Sequence, residues 1–149
     1  MLEIKKILFP CGLAENLPKI LTYVLSIAEK YNSMIYLFHV IDDNPYKWGI
    51  PPYYSFTFDK QKILNGAEKA MEKVCEEELQ GFPNFNRKIV FGHPPTKILE
   101  AIESEGIDLV IMGTHGREGL DHAIFGSVAE KVIRKSPVPV LIINPYKLK

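Results

Sequence analysis

Short apolar runs alternate along the chain with longer segments in which apolar residues recur at helical spacing. Over residues 17–31 and 60–79, apolar side chains return every three or four positions, as in a helix that buries one face. Thr96 is a candidate cap for a third helix that ends near Gly106, and residues 127–135 form a fourth helical pattern. The apolar runs predict five strands: Ile7–Phe9, Met34–Ile41, Ile89–Phe91, Ile107–Met112 and Val138–Ile143.

The alternation of strands and helices predicts an α/β fold with a parallel sheet, because a helix joins each strand to the next. The strands are nearly continuous apolar runs, which favours burial on both faces of the sheet. No repeat, low-complexity tract or linker divides the chain. We therefore expect one domain over residues 1–149, built as an open, doubly wound five-stranded sheet with helices on both faces.

The last predicted strand has features of a sheet edge. Pro139 cannot donate a ladder hydrogen bond, which is tolerated at an edge. The apolar residues Val140–Ile143 would make a bare edge prone to aggregation. Pairing of Val138–Ile143 with a second copy would cover this edge, so we hypothesise a homodimer through it.

The net charge and the cysteine content argue against several classes of protein. The 149 residues carry 18 Lys and Arg against 18 Asp and Glu, a net charge of zero, which argues against a nucleic-acid binder or an anionic-membrane binder. Cys11 and Cys75 are far apart in sequence, so neither a disulfide framework nor a thiolate zinc site is expected. No apolar run resembles a signal peptide or a membrane span, and we expect a cytoplasmic protein.

The candidate chemistry lies where the fourth strand ends. The spacing Gly113-x2-Gly116-x9-Gly126-Ser127 is typical of a backbone phosphate cradle, since glycines let N–H groups approach an anion and a helix N-terminus supplies unpaired donors. The alternative is that these glycines only permit a tight turn. The four histidines match no standard ligand spacing, so they predict no metal site. His115 and Arg117 both lie in the presumed phosphate loop and could approach a bound phosphate. The histidines are His39, His93, His115 and His122.

With these residues in view, the sequence resembles the universal stress protein family along essentially its whole length. The Gly113–Ser127 spacing and the final stretch are the most specific parts of this resemblance. The matching stretches are Lys6–Pro10, His39–Asp42, Gly92–Pro94, Asp108–Gly116, Gly126–Ala129 and Ser136–Ile142.

The resemblance implies strand order 3-2-1-4-5, as in adenine nucleotide alpha hydrolase-like folds, and a dimer through the fifth strand. It also implies that ATP, with or without a Mg or Mn ion, binds between the first and fourth strands. By the same resemblance, Pro10, Val40 and Met112 line the adenine and ribose pocket, next to Cys11 and Gly12. The residues implied to hold the ribose and phosphates are Gly113, Gly116, Gly126, Ser127 and Val128.

One position departs from the ATP-binding pattern of the family. Gly12 stands where these relatives usually carry an aspartate that contacts the nucleoside. The loss of a charged hydrogen bond weakens binding by roughly ten- to a hundred-fold. Two readings follow: an ATP-binding regulatory protein, or an interaction protein of the same fold that does not bind ATP. No nucleophile with its base can be assembled, so slow ATP hydrolysis is the only enzymatic alternative.

Two further features have open interpretations. Six aromatic residues fall within Tyr46–Phe58, a segment that could cover the cleft, face a partner or pack on itself. Cys11, at the mouth of the expected cleft, is either an inert small side chain or a redox-sensitive thiol.

Overall fold

The computed structural model describes residues 2–13, 16–44, 60–114 and 126–147. Within them, strands and helices alternate strictly along the chain. Their order is β1 (Lys6–Pro10), α1 (Leu17–Tyr31), β2 (Met34–Asp42), α2 (Lys60–Glu78), β3 (Phe85–Gly92), α3 (Pro94–Ser104), β4 (Leu109–Gly113), α4 (Ser127–Lys135) and β5 (Val140–Ile143).

The five strands form one parallel sheet in the order β3-β2-β1-β4-β5. The predicted α/β class and the implied strand order are therefore confirmed. The chain moves from β1 outward to β3, returns through α3 to β4, and ends at β5. The direction of strand addition thus reverses between β1 and β4, and this is the switch point where open α/β sheets bind ligands.

The sheet is covered on both faces, as the continuous apolar strands predict. Ile7 and Phe9 of β1 belong to a core layer formed with α1 and α2. Leu8, between them in sequence, belongs to the opposite layer, formed with α3 and α4. Successive side chains of a strand point to opposite faces, so a strand in the middle of the sheet needs apolar residues at every position.

The last strand lies at a sheet edge, as Pro139 predicts, but it is shorter than expected. β5 begins at Val140, and Pro139 precedes it, with its carbonyl accepting a 3.0 Å hydrogen bond from Val110 N–H. Leu141 on this edge is 39% exposed.

The other edge strand is longer than predicted. β3 begins at Phe85 instead of Ile89, because Asn86, Arg87 and Lys88 pair with β2 although their side chains are exposed. Polar side chains are tolerated on an edge strand that is solvated on part of its surface, and an apolar run therefore marks only its buried end.

The predicted Thr96 cap is wrong. α3 begins at Pro94, with His93 as the capping residue, because proline suits the first helical turn, where its missing N–H is not needed. Thr96 lies inside the helix, and its Oγ1 forms a 2.8 Å hydrogen bond with His93 Nδ1.

β4 also begins later than predicted, at Leu109. The Asp108 carboxylate, directly before it, accepts hydrogen bonds from the N–H groups of Lys5 and Lys6, at 2.9 and 3.0 Å.

Among the helices that the structure describes, none combines the length and apolarity needed to cross a bilayer.

Candidate functional site

A cleft of about 340 Å³ opens at the carboxyl ends of β1 and β4, beside the start of α4. It therefore lies at the switch point of the sheet. All the sequence-predicted site residues in the described ranges line it, whereas Gly116 lies outside these ranges. The lining residues are Pro10, Cys11, Gly12, Phe38, His39, Val40, Pro94, Ile98, Met112, Gly113, Thr114, Gly126, Ser127, Val128 and Ala129.

The segment that leaves β1 forms one wall of the cleft. Cys11 N–H donates to Phe38 O at 2.9 Å, which continues the pairing of β1 with β2 one residue past Pro10. The next residue, Gly12, is exposed, and a Cβ placed on it would have no atom of residues 2–10, 16–44, 60–114 or 126–147 within 4 Å. The wall thus has no side chain at the position where the family resemblance leads us to expect an aspartate.

The Cys11 side chain points into the core layer of α1 and α2 and is buried. This burial raises the pKa of the Cys11 thiol to about 12, since a thiolate would lose its hydration there. The thiol is therefore protonated at physiological pH. Because the thiolate is the reactive form, the geometry favours the inert interpretation of Cys11 over the redox-sensitive one.

His39 on β2 contacts the cleft wall. Its ring is half-buried, and Nδ1 lies 2.7 Å from the carbonyl oxygen of Cys11. A carbonyl only accepts hydrogen bonds, so Nδ1 carries the proton in this contact. Two neighbouring residues of β2 therefore bind Cys11: Phe38 accepts from its N–H, and His39 donates to its carbonyl.

The exit of β4 explains why glycine occupies position 113. A Cβ on Gly113 would lie 2.6 Å from Cδ1 of Ile20 on α1, so a side chain there would force the end of the Ile20 side chain to move. The following residue, Thr114, is buried and donates its N–H to Ile143 O at 3.0 Å. Gly113 therefore serves close packing of a helix, in addition to whatever contact its backbone makes with a ligand.

The start of α4 closes the cleft on the opposite side. Gly126 caps the helix, its N–H donates to Thr114 O at 2.9 Å, and a Cβ there would lie 3.0 Å from the same oxygen. The next three residues, Ser127–Ala129, belong to the first helical turn, and their N–H groups have no acceptor within the helix. Such a turn binds anions through its free donors and the positive end of the helix dipole.

None of the cleft-lining residues in the described ranges is Asp, Glu, Lys or Arg. An anionic group seated in this part of the cleft would therefore be held by N–H groups and the helix dipole. Across the described ranges, no group of three His, Cys, Asp or Glu side chains is arranged to hold a metal ion.

Several lining residues were missed by sequence reasoning. Thr114 lies inside the glycine motif and Ala129 two residues after it, so proximity to the motif could have indicated both. Phe38, Pro94 and Ile98 had no signal as ligand contacts, because apolar residues of a strand end and a helix resemble ordinary core positions. His115, Arg117, His122 and the aromatic segment Tyr46–Phe58 lie outside the described residues.

The fold and the cleft define a doubly wound α/β protein with the start of a helix at the switch point of its sheet. The family model of the universal stress protein family matches residues 3–144, and the chain belongs to that family.

The curated relatives include the universal stress protein MJ0577 of Methanocaldococcus jannaschii, which is 33% identical over 94% of both chains. A solved structure of MJ0577 superposes with a TM-score of 0.79 at 31% identity and covers 96% of this chain and 97% of its own.

Two more distant structures share the fold. One is the universal stress protein from Archaeoglobus fulgidus in complex with dAMP, with a TM-score of 0.66 at 16% identity, covering 97% of this chain and all of its own. The other is a universal stress protein in complex with cAMP, with a TM-score of 0.60 at 18% identity, covering 95% and 97%.

Proposed function

We propose that this protein is a nucleotide-binding regulatory module that holds ATP in the cleft between β1 and β4. The observation that carries the proposal is the meeting of the α4 first turn with the ends of both strands at the switch point of the sheet. The dAMP and cAMP complexes of two fold relatives support an adenine nucleotide as the ligand class.

In this proposal, the phosphates lie against the first turn of α4. The N–H groups of Ser127 and Val128 donate to phosphate oxygens, while Gly113 and Gly126 let the backbone approach closely. Gly116 belongs to the same proposed cradle on the strength of the motif spacing. Mg or Mn, where present, would be held largely by the phosphates and water, as is usual for Mg²⁺ bound with nucleotides.

The nucleoside lies on the apolar side of the cleft. Pro10, Val40 and Met112 provide apolar surface for the base and ribose, and the Val40 backbone offers groups that can pair with the base edge. This division of the cleft, apolar at one end and rich in N–H donors at the other, suits a ligand that carries a flat base and an anionic tail.

The competing proposal is an interaction protein that does not bind ATP. Its specific support is Gly12, which leaves the cleft wall without the carboxylate expected at that position. The two proposals differ in one measurable property, the effect of ATP on the stability of the folded protein. A ligand that binds only the folded state raises the free energy of unfolding in proportion to the logarithm of its concentration over Kd.

The test uses a matched pair of substitutions at Ser127, which is exposed at the first position of α4. Ser127→Asp places a negative charge at the helix start, where it favours the helix but repels a phosphate. Ser127→Asn has a similar size without the charge. We expect ATP to raise the Tm of the wild type and of Ser127→Asn, and to leave the Tm of Ser127→Asp unchanged.

The stability of Ser127→Asp without ligand distinguishes loss of binding from loss of folding. Ser127→Asp without ligand should melt at or slightly above the wild-type temperature, since an acidic residue near a helix N-terminus stabilises by about 0.3–1 kcal/mol. An absence of any ATP effect on the wild type at millimolar nucleotide would refute the proposal and favour the interaction protein. An equal ATP effect on both variants would place the phosphates away from α4.

A second copy is proposed as the partner at β5. The edge strand Val140–Ile143 has one side of its backbone unpaired within the described sheet, and Leu141 is exposed on it. Pairing with another copy would satisfy those backbone groups and cover the apolar surface.

A further inference from the structure

We propose that His39 is a positioning residue of the cleft, which fixes the orientation of the peptide group between Cys11 and Gly12. Both backbone polar groups of Cys11 are bound by β2. Its N–H donates to Phe38 O at 2.9 Å, and its carbonyl accepts from His39 Nδ1 at 2.7 Å. The first bond is an ordinary continuation of the strand pairing, whereas the second depends on one side chain.

The second bond controls the donor that follows it. The carbonyl of Cys11 and the N–H of Gly12 belong to one planar peptide unit, and in the trans form they point in opposite directions. A carbonyl held toward His39 therefore directs the Gly12 N–H away from His39. Gly12 itself lines the cleft and has no side chain to restrain it.

The described surroundings of Gly12 offer little other restraint. Among the residues that the structure describes, no atom outside its two chain neighbours lies within 4 Å of a Cβ built at Gly12. Glycine has more conformational freedom than any other residue, and an unrestrained glycine at a binding cleft must lose that freedom when a ligand binds. The His39 bond removes part of this cost in advance, since it holds the peptide group before the ligand arrives.

Loss of the His39 bond should affect both ATP affinity and the mobility of the backbone at Cys11 and Gly12. The effect on affinity rests on the proposed function, while the effect on the backbone does not. Loss of one neutral hydrogen bond should weaken ATP binding by roughly three- to tenfold. In the ligand-free protein, the same loss should speed hydrogen exchange at the Cys11 amide, because its bond to Phe38 O protects it until this segment opens locally.

The experiment compares His39→Leu with His39→Asn. The two replacement side chains have nearly the same shape, but the Asn amide nitrogen occupies the branch position of Nδ1 and can donate to the Cys11 carbonyl. Calorimetric titration with ATP and amide exchange measured by NMR are read for both. We expect His39→Leu to bind more weakly and to exchange faster at the Cys11 amide, and His39→Asn to restore both properties toward the wild type.

The outcomes separate the two proposals. If the wild type does not bind ATP, the proposed function fails, and the exchange rates of the Cys11 amide still decide the role of His39. Equal exchange at Cys11 in His39→Leu and the wild type, or equal acceleration in both variants, would overturn the positioning role. If His39→Leu does not fold, His39→Gln replaces it, since its amide lies one bond further out and should show the same loss.

Discussion

At Gly12 the cleft wall lacks a side chain, and its surroundings leave room for one. Within the described part of the chain, no atom outside its two neighbours lies within 4 Å of a Cβ built there, so a larger residue displaces none of these residues. The weakness that this glycine brings to the proposed ATP site should therefore be reversible by substitution.

We expect Gly12→Asp to strengthen ATP binding by roughly ten- to a hundred-fold, because a carboxylate accepting a hydrogen bond from the nucleoside adds a charge-assisted contact. Gly12→Asn is the matched control, with a neutral acceptor of the same shape and a smaller expected gain. Calorimetric titration measures both affinities. Unchanged or weaker binding in Gly12→Asp would contradict the assignment of this wall to the nucleoside.

Single residues also show how far the sequence could predict the site. The spacing of Gly113, Gly126 and Ser127 was sufficient to locate the cleft. The reason for glycine at position 113 was not visible, since it depends on Ile20, a residue 93 positions earlier that only the folded packing brings near. The contact of His39 with the Cys11 carbonyl was invisible for the same reason.

At the scale of elements, the predicted bounds of helices and strands are most accurate where buried residues recur at a regular spacing. α1 covers the predicted residues 17–31, because one of its faces is fully buried and Asn32 ends it in a left-handed conformation with φ 54°. The start of β3 was missed because its first half is polar and exposed. The N-terminus of α3 was misplaced because proline, and not a capping hydroxyl, begins it.

The packing of α1 on the end of β4 gives a prediction at this scale. Gly113→Ala should destabilise the protein by about 1–3 kcal/mol, since its Cβ would overlap Cδ1 of Ile20. Ile20→Val removes that carbon. The double variant should therefore be more stable than the sum of the two single losses predicts, by about 0.5–3 kcal/mol.

Urea unfolding of the four proteins in this cycle measures the coupling. Ile102→Val in the opposite core layer is the matched control, and its loss should simply add to that of Gly113→Ala. Additive losses for Ile20→Val as well would contradict a direct contact between α1 and the end of β4.

At the scale of the whole molecule, the sheet order positions everything else. Because β1 and β4 are neighbours with helices leaving on opposite faces, their ends separate and leave the cleft between them. The helix–strand alternation predicted the parallel sheet from physical pattern alone. The order 3-2-1-4-5 came from the family resemblance, since hydrophobic patterns do not specify which strands are neighbours.

The proposed dimer is tested at the exposed edge. We expect Leu141→Lys on β5 to convert a dimer into a folded monomer, because a charged residue opposes edge-to-edge pairing. Tyr23→Lys on α1 is the control; Tyr23 is similarly exposed, at 41% against 39%, and lies on another surface. Sedimentation velocity gives the oligomeric state. A wild type that remains monomeric at micromolar concentration would contradict the proposed partner.

The central claim is that the first turn of α4 and the ends of β1 and β4 bind one adenine nucleotide, and an NMR titration with ATP tests it most directly. The account predicts that the largest amide shifts fall on residues 127–129 and on the cleft positions Gly12, Val40 and Gly113, and that Ser127→Asp abolishes them. No shifts at millimolar ATP, or shifts confined to residues away from the cleft, would contradict it.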